Sequence, residues 1–535
     1  MNEKLAYAVG PQLPPVRDIT LGDLLREAAE TVPERIALIS GASNPAHRRS
    51  WTYRELYDES HQASQVLAQK FQAGQRVAVF APNSPEWVML EFACAMAGVI
   101  LVTINPAYRA QEVTYVLTQS RSSGVFVVPE YRGNRLLDTI QDVRNDCPDL
   151  REVIRLDQWP QFLATNKGAH FPERDVSSED PVMIQYTSGT TGFPKGALLH
   201  HRGLVNNAAH TLDRMQAKDG LVWLSFMPLF HTGGCVVCVL GAVAFKATQV
   251  LMEQFEPGLA LELIEQYEVN AFNAVPTMLN AMLEHSSYPN RNLSSLKALT
   301  LGGSTVPMAL VKVIEEDWGA NVAIIFGQTE CSPVASMTRP DDSNEDKIMT
   351  LGRPMPETEA KIVDPQSGET VACGVLGEFC TRGYHVMHCY FEMDDATANA
   401  IDDEGWLHTG DLCSMDERGY SKIEGRLKDV IIRGGENIYP RELEELLFRH
   451  PTVGEVAIVG LPDDYLGERV AAFLRAAPGK TMDRETLFEF LREHLSAQKT
   501  PANWYELDQF PLTGSGKIQK FELRRMWQDG ELNEM

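Results

Sequence analysis

The sequence predicts an α/β protein with a large N-terminal domain of βαβ-layered sheets and a small α+β C-terminal domain. With 535 residues, the chain is several times longer than the commonest single domain, so more than one domain is expected. Short apolar runs alternate with longer helix-patterned segments, which is typical of parallel sheets covered by helices. The C-terminal part carries a separate set of shorter elements, which indicates a second domain.

The alternation is clearest in two parts of the N-terminal region. RVAVFA, PEWVMLEFACAMA and ILVTI follow one another between residues 76 and 104 in the order strand, helix, strand. NAFNA, PTMLNAMLEH, KALTL, PMALVKVIEEDW and NVAIIF repeat that order between residues 270 and 326. The C-terminal set comprises PRELEELLFRH, EVAIVG, RVAAFL and RETLFEFLREHL. Glycines and charges crowd together in GRLKDVIIRGGENIYP, as expected for a linker that bends.

The overall charge argues against a nucleic-acid or anionic-membrane partner. Forty-eight basic and 73 acidic side chains give a formal net charge of -25, which repels phosphate backbones and anionic lipid surfaces. No lysine and arginine cluster is long enough to override that repulsion. The charge is therefore an argument for solubility, and cations that bind anionic substrates must be concentrated locally.

Cysteine usage and the apolar runs favour a reduced, cytoplasmic protein. The nine cysteines are scattered, and the Cys235–Cys238 pair lies in the apolar run CVVCVLGAVAF without partners at zinc spacing, so we expect it in the core. The first residues lack the basic-then-apolar order of a signal peptide. The longest apolar runs are too short for a membrane span or contain a charged residue, Glu91.

The segment from Tyr186 to Gly196, YTSGTTGFPKG, has the chemistry of a phosphate-binding loop. Its glycines permit close backbone approach, its N–H groups and hydroxyls can donate to phosphate oxygens, and Lys195 adds a positive charge. A Walker A motif needs Gly before the lysine and Ser or Thr after it, whereas Pro194 precedes this lysine. A flexible surface turn is the alternative. The predicted phosphate-binding residues are Thr187, Ser188, Gly189, Thr190, Thr191, Gly192 and Lys195.

Seven motifs follow one another along the chain: YTSGTTGFPKG at 186, MPLFHTGG at 227, GGS at 302, FGQTE at 326, GWLHTGDL at 405, GRLKDVIIRGGENIYPRELE at 425 and PLTGSGKIQK at 511. Through them nearly the whole chain resembles the acyl-adenylate-forming (AMP-binding) superfamily, which contains acyl-CoA synthetases, peptide synthetase adenylation domains and firefly luciferase. INPAY at 104, RGYHVM at 382 and IIRGGENIYP at 431 resemble the medium-chain fatty-acid–CoA ligase branch. The resemblance implies an AMP-binding and acyl-binding domain over residues 1–425, a hinge over 426–430 and a mobile lid domain over 431–535.

The resemblance places several residues around ATP. Glu330 would coordinate Mg²⁺ with Thr187 nearby, because a hard cation takes oxygen ligands. Thr329 would contact the α-phosphate or the substrate carboxylate, and Phe326 would pack on the adenine. Asp411 would accept hydrogen bonds from the two ribose hydroxyls, and a plain turn residue is the alternative. The same resemblance gives further nucleotide-binding positions at Gly302, Gly303, Ser304, Gly327, Gln328 and Arg426. For Arg426, a surface ion pair is the alternative.

The predicted lid carries the remaining catalytic and coenzyme A residues. By resemblance, Lys517 touches the substrate carboxylate and the α-phosphate when the lid closes, offsetting charge as two anions meet. Lys428 is the implied hinge, although it could equally be an ordinary exposed lysine. After pyrophosphate leaves, a second face of the lid would present Arg433, Gly434 and Gly435 to the pantetheine arm of coenzyme A. Turn formation is the alternative for these glycines.

His231 in PLFHTGG resembles the residue that borders the acyl group in relatives, although a lone histidine is often a hydrogen-bonded core residue. No acidic residue nearby suggests recognition of an amino group, which argues against an amino-acid-activating domain. The acid is predicted to be a medium-chain fatty acid or a bulky ring-bearing acid. The residues expected around it are Thr232, Gly233, Gly234, Cys235, Gly302, Gly303, Pro333 and Val334.

These predictions converge on an ATP-dependent acyl-CoA ligase with ATP, Mg²⁺ and coenzyme A as cofactors or substrates. An adenylating enzyme that loads a carrier protein is the main alternative, and a luciferase-like oxygenase uses the same adenylate. A non-catalytic binding relative is disfavoured because Lys195, Glu330, Asp411, Arg426 and Lys517 are all present. The oligomeric state is open, with a homodimer as one candidate.

Overall fold

The structure, a computed structural model, describes residues 4–165, 174–187, 194–303, 306–463, 465–512 and 518–535. It confirms the predicted α/β class, with layered sheets in the N-terminal part and a smaller sheet with helices in the C-terminal part. The predicted domain bounds remain a prediction. Between the two parts, a strand ends at Arg426, a 3₁₀ turn covers Leu427–Asp429, and the next strand begins at Ile431.

The strands alternate with helices through most of the N-terminal part. In chain order the strands are β1 Tyr7–Val9, β2 Ile36–Ser40, β3 Ser50–Thr52, β4 Arg76–Phe80, β5 Ile100–Ile104, β6 Ser122–Val127, β7 Glu152–Arg155, β8 Pro181–Tyr186, β9 Gly196–His200, β10 Val222–Ser225, β11 Thr248–Leu251, β12 Ala271–Ala274, β13 Ala298–Gly302, β14 Asn321–Gly327, β15 Val334–Met337, β16 Arg353–Pro354, β17 Thr358–Val363, β18 Gly377–Gly383, β19 Cys389–Tyr390, β20 Leu407–Met415, β21 Ser421–Arg426, β22 Ile431–Arg433, β23 Glu436–Ile438, β24 Val453–Asp463, β25 Gly467–Ala476 and β26 Asn503–Glu506.

The helices have the bounds that their caps and apolar spacing favour; α3, for example, begins where the Ser84 side chain accepts a hydrogen bond from the Trp87 N–H. They are α1 Leu21–Thr31, α2 Tyr53–Lys70, α3 Pro85–Met96, α4 Ala110–Gln119, α5 Leu136–Val143, α6 Trp159–Ala164, α7 His201–Arg214, α8 Gly241–Ala244, α9 Pro257–Gln266, α10 Pro276–Glu284, α11 Met308–Lys312, α12 Asn344–Met349, α13 Asp394–Ala398, α14 Pro440–Leu447, α15 Arg484–His494 and α16 Lys520–Gln528. Within the described ranges, Gly233–Leu240 and Val313–Asp317 are π-helical.

The described residues of the N-terminal part form three sheets. A seven-stranded sheet has the order β19-β9-β8-β5-β4-β6-β7, and a nine-stranded sheet has the order β16-β15-β14-β13-β12-β10-β11-β2-β3. Most of their central pairs are parallel, as the strand–helix alternation predicts. The third sheet, β1-β17-β18-β20-β21, is antiparallel. The C-terminal part has its own sheet, β23-β22-β25-β24, with β26 paired to β25.

The two cysteines of the CxxC pair, Cys235 and Cys238, are fully buried in the π-helical segment, as the core-packing interpretation predicts. No helix in the described part of the chain is long and apolar enough to cross a membrane.

The acidic residue Glu91 is buried in the core without a hydrogen-bond partner among the described residues. Glu91 lies in α3 and is completely buried, and no described residue donates a hydrogen bond to either of its carboxylate oxygens. Burial raises the pKa of Glu91 well above its ordinary range. The folded state therefore keeps the proton to higher pH than the unfolded chain does. Stability that is present below the unfolded pKa is lost as the pH rises towards the folded pKa.

Replacing Glu91 with methionine should stabilise the protein, and the gain should be larger at pH 8 than at pH 5. Methionine has a similar length and no unsatisfied polar group. Burying such a group destabilises the parent protein by about 1–3 kcal/mol. Urea unfolding of both proteins at the two pH values measures the effect. Glu86→Gln is the control, because Glu86 lies in the first turn of the same helix and pairs with Arg49 at 2.6 Å. A gain that does not grow with pH would contradict the protonation argument.

Candidate functional site

The predicted phosphate-binding loop, Tyr186 to Gly196, lies between two neighbouring antiparallel strands, β8 and β9. Tyr186 pairs with Gly196 across the strands, and the Thr187 N–H donates to the Lys195 carbonyl at 3.0 Å, so the loop is closed at its base. The Tyr115 hydroxyl donates to the Pro194 carbonyl at 2.8 Å. The predicted loop residues Ser188, Gly189, Thr190, Thr191 and Gly192 lie outside the described residues. Thr187 and Lys195 are therefore held at the two ends of the loop.

The FGQTE motif lies at the end of β14, where the chain turns into the 3₁₀ segment Thr329–Cys331. Gly327 is required by close packing, because an added Cβ would lie 2.0 Å from the Pro333 carbonyl oxygen. Gln328 precedes the turn, and its N–H contacts the Cys331 thiol at 3.3 Å. This tight turn places Glu330, which is 7% exposed, at the carboxyl end of the strand.

Phe326 and the GGS motif lie next to this turn. Phe326 packs edge-to-face on Phe379, with ring centroids 5.3 Å apart. Gly302 ends β13 and pairs with Ile325 of β14, and a Cβ on Gly302 would lie 2.5 Å from the Ile325 side chain. Gly303 follows with φ +79°. Ser304 lies outside the described residues. Parallel β13 and β14 thus bring Gly302, Gly303 and the FGQTE motif to the same sheet edge, where ligands bind in such sheets.

Tyr390 joins Glu330 to Lys195, which lies at the end of the predicted phosphate-binding loop. Its hydroxyl donates to Glu330 Oε1 at 2.6 Å, and the Lys195 ammonium lies 4.1 Å from its ring centroid. Tyr390 lies outside the seven sequence motifs. No motif spacing marks it, because the contact depends on β19 pairing with β9.

Asp411 and Arg426 face each other across β20 and β21. They are direct partners in the strand register, and Arg426 Nε donates to Asp411 Oδ1 at 2.8 Å. Asp411 is only 2% exposed. Its charge is the largest cause that raises the pKa of Arg426, and the charge of Glu330 acts in the same direction. The ribose-binding pair predicted from sequence therefore lies within electrostatic reach of Glu330.

A second carboxylate fixes the strand that carries Asp411. Glu378 of β18 accepts the Gly410 N–H at 2.9 Å and contacts His408 Nδ1 at 2.8 Å. The hydrogen bond to Glu378 is the largest cause that raises the pKa of His408. Glu378, Cys380 and His408 offer three possible metal-ligand atoms within 4.8 Å of one another. The Glu378–His408 ion pair and the Gly410 N–H bond to Glu378 already account for this arrangement without a metal. Glu378 therefore holds the backbone immediately before Asp411.

Lys428 lies just after this pair, in the 3₁₀ turn that precedes the C-terminal sheet. The residue is exposed overall, yet desolvation of its ammonium lowers its pKa, followed by the charge of Arg426. The charge of Lys195 lowers the same pKa, so the predicted hinge residue lies within electrostatic reach of Lys195. Three cations from two motifs, Lys195, Arg426 and Lys428, are therefore concentrated near Glu330 and Asp411, as binding of an anionic ligand requires.

Replacing Asp411 with asparagine should raise the KM for ATP about tenfold to a hundredfold, because hydrogen bonds to charged groups contribute about 1.5–3 kcal/mol. The change keeps the size of the side chain and removes the charge that Arg426 faces. Steady-state pyrophosphate release at varied ATP measures the effect. Asp416→Asn is the matched control, because Asp416 lies in the same hairpin and pairs with Arg418 at the surface. An equal rise in both variants would contradict a specific role for Asp411.

His231 is held by the start of the π-helical segment. The Gly233 N–H donates to His231 Nδ1 at 3.1 Å, and the Gly234 and Cys235 N–H groups donate to its carbonyl. A Cβ on Gly234 would lie 2.2 Å from the Pro228 carbonyl oxygen, so only glycine fits there. Because Nδ1 accepts a hydrogen bond, a neutral His231 ring carries its proton on Nε2. His231 thus has a fixed orientation, and its acyl-binding role remains a prediction.

The glycines of IIRGGENIYP form the turn between β22 and β23. Gly434 and Gly435 have φ of +60° and +86°, which suits a two-residue hairpin turn. Gly434 N–H donates to the Leu466 carbonyl at 2.7 Å. A cavity of about 310 Å³ lies beside the turn. Its lining residues are Arg433, Gly434, Glu436, Leu466, Ala497 and Gln498.

Lys517 lies outside the described residues, so its predicted place over the site stays a prediction. The structure brings Lys195, Glu330, Asp411, Arg426 and Lys428 together.

Comparison with known families gives matches along most of the chain. Residues 25–391 match the family described as AMP-binding enzyme, and residues 442–517 match the AMP-binding enzyme C-terminal domain. YngI of Bacillus subtilis (strain 168) is 37% identical over 94% of this chain and 96% of its own length. The mitochondrial medium-chain acyl-CoA ligase ACSF2 of Rattus norvegicus is 34% identical over 94% of this chain and 87% of its own length.

Solved structures agree with this result. The o-succinylbenzoate CoA synthetase MenE of Bacillus subtilis, in complex with its acyl-adenylate intermediate, superimposes with a TM-score of 0.82 at 28% identity, covering 95% of this chain and 99% of MenE. The same enzyme with ATP and a magnesium ion gives a TM-score of 0.81 at 28% identity, covering 95% of this chain and 100% of MenE.

Proposed function

This chain belongs to the AMP-binding enzyme family, and from that premise we propose that it is an ATP-dependent acyl-CoA ligase. The carboxylate of an acid attacks the α-phosphate of ATP, the bond to the β-phosphate oxygen breaks, and acyl-AMP and pyrophosphate form. The thiol of coenzyme A then attacks the acyl carbonyl, loses its proton, and displaces AMP. The observation that carries this proposal is the convergence of Lys195, Glu330, Asp411 and Arg426 from separate motifs.

The first half-reaction needs positioning and charge stabilisation, since the nucleophile is already a carboxylate. Lys195 and the backbone at the ends of the phosphate-binding loop bind phosphate oxygens. Asp411 binds the ribose hydroxyls, and Arg426 keeps its carboxylate oriented. Lys517 supplies charge at the α-phosphate when the lid closes.

The buried Glu330 fits a magnesium site. Its carboxylate offers an oxygen donor, which Mg²⁺ prefers, and the Tyr390 hydroxyl occupies only Oε1. Thr187, at the base of the loop, is the second predicted ligand. The ion, when bound, neutralises and orients the phosphates of ATP.

The second half-reaction uses the lid. Gly434 and Gly435 leave space beside the cavity lined by Arg433 and Gln498, and this space suits a narrow thiol arm. A carrier protein's phosphopantetheine has the same arm, so carrier loading is the alternative acceptor reaction. The acid is a medium-chain fatty acid, in line with the name of the ACSF2 relatives, or a ring-bearing acid, in line with that of MenE. We place the reaction in the cytoplasm.

The test is to incubate the purified protein with ATP, Mg²⁺ and a panel of medium-chain and aromatic acids, with and without coenzyme A. Pyrophosphate and thioester are both measured. We expect acid-dependent pyrophosphate release and coenzyme A-dependent thioester and AMP formation. Pyrophosphate release that only a carrier protein converts to thioester would favour the alternative. Failure to form any adenylate would overturn the proposed function.

A further inference from the structure

We propose that Tyr390 is a positioning residue for two charged groups, the predicted metal ligand Glu330 and the predicted phosphate-binding Lys195. Its hydroxyl orients the Glu330 carboxylate, and its ring holds the Lys195 ammonium. This inference rests on the proposed function. It extends that function to a residue that none of the seven motifs contains.

The backbone ties the Tyr390 segment to both elements that it would organise. Tyr390 pairs with Ala197 of β9, and the Phe391 N–H donates to the Gly196 carbonyl at 2.8 Å. On the other side, the Met387 N–H donates to the Glu330 carbonyl at 2.8 Å. The segment therefore bridges the phosphate-binding loop and the FGQTE turn, and Tyr390 lies at the junction.

The hydroxyl acts as a hydrogen-bond donor to the carboxylate. A phenol hydroxyl keeps its proton at neutral pH, so Tyr390 donates and Glu330 Oε1 accepts, at 2.6 Å. The hydrogen bond to Oε1 fixes the carboxylate and leaves Oε2 for a cation. Outer-shell partners of this kind set ligand orientation, and their loss typically lowers metal affinity about 10- to 100-fold.

The ring acts on the lysine. The Lys195 ammonium lies 4.1 Å from the ring centroid, within the range of a cation–π interaction. A lysine side chain has four flexible carbons, so this contact restrains the ammonium at the end of the loop before nucleotide binds. The two contributions of Tyr390 are therefore separable: the ring restrains Lys195, and the hydroxyl orients Glu330.

Two substitutions separate these contributions. Tyr390→Phe keeps the ring and removes the hydroxyl, whereas Tyr390→Leu removes both. Tyr53→Phe is the matched control, because the Tyr53 hydroxyl is buried and donates to the Ala247 carbonyl at 2.7 Å. Calorimetry measures ATP affinity in EDTA and in Mg²⁺, and electron paramagnetic resonance measures Mn²⁺ binding to the ATP complex.

For Tyr390→Phe we expect unchanged ATP affinity in EDTA and Mn²⁺ affinity about tenfold to a hundredfold weaker. Tyr390→Leu should also weaken ATP binding in EDTA several-fold, and Tyr53→Phe should change neither affinity. In a Glu330→Ala background, Tyr390→Phe should have no further effect on Mn²⁺ binding. Unchanged Mn²⁺ affinity in a Tyr390→Phe protein that still unfolds cooperatively would overturn the proposal alone. A parent protein that binds no ATP would overturn the proposed function as well.

Discussion

Replacing Lys517 with alanine should lower the rate of adenylation about 10²- to 10³-fold while sparing thioester formation from preformed acyl-AMP. The lysine is expected to stabilise charge that develops at the α-phosphate only in the first step, and removal of one such contact has effects of this size. Pyrophosphate release measures the first half-reaction. Thioester formation from synthetic acyl-AMP and coenzyme A measures the second.

Lys520→Ala is the matched control for this prediction. Lys520 lies three residues further along the chain and pairs with Glu444 at 2.6 Å, so its removal changes the lid charge equally. We expect adenylation within about twofold of the parent protein in this variant. Equal loss of both half-reactions in Lys517→Ala would show that the lysine does not act in adenylation alone.

Replacing Glu330 with glutamine should lower adenylation by at least about 10²-fold and weaken its dependence on magnesium concentration. The amide oxygen still accepts the Tyr390 hydrogen bond, so the buried turn keeps its shape, but the negative charge that attracts the cation is lost. Rates at varied Mg²⁺ with saturating ATP measure the effect.

ATP binding in EDTA distinguishes loss of the metal site from loss of the fold. We expect Glu330→Gln to bind ATP without metal at least as well as the parent protein, because a negative charge near the phosphates is removed. Glu315→Gln is the control, because it removes a carboxylate charge outside the site and with it the ion pair to Lys347. Unchanged magnesium dependence in Glu330→Gln would assign the metal to other ligands.

Much of the N-terminal fold could be predicted because its strands and helices have strong local patterns. ILVTI is a fully buried strand, and NAFNA, KALTL and NVAIIF become adjacent parallel strands β12, β13 and β14. A continuous apolar run bounded by turns needs no knowledge of its neighbours to be recognised as a buried strand. The order of strands within each sheet could not be predicted in this way, since it depends on pairings between distant segments.

The site was predicted only as far as the motifs reach. Asp411 and Arg426 were assigned to one region from two motifs, and the structure makes them direct partners across β20 and β21. Glu378 and His408, which support the backbone before Asp411, were not predicted as a pair, because the residues are 30 positions apart in sequence and meet only through strand pairing. The missing hydrogen bonds of Glu91 were equally invisible before the packing was known.

By itself, the sequence determined the fold class, and it predicted the phosphate-binding chemistry of YTSGTTGFPKG and the charged residues of the nucleotide site. The fold class and the loop chemistry depend on residue type and short spacing, both of which are local, whereas the charged residues follow from the family resemblance of the motifs. The tertiary structure alone decided that Tyr390 joins Lys195 to Glu330, because β19 pairs with β9 almost two hundred residues away in sequence. It also fixed the ring orientation of His231 through Gly233. Contacts of this kind follow from strand order and close packing, which no local pattern encodes.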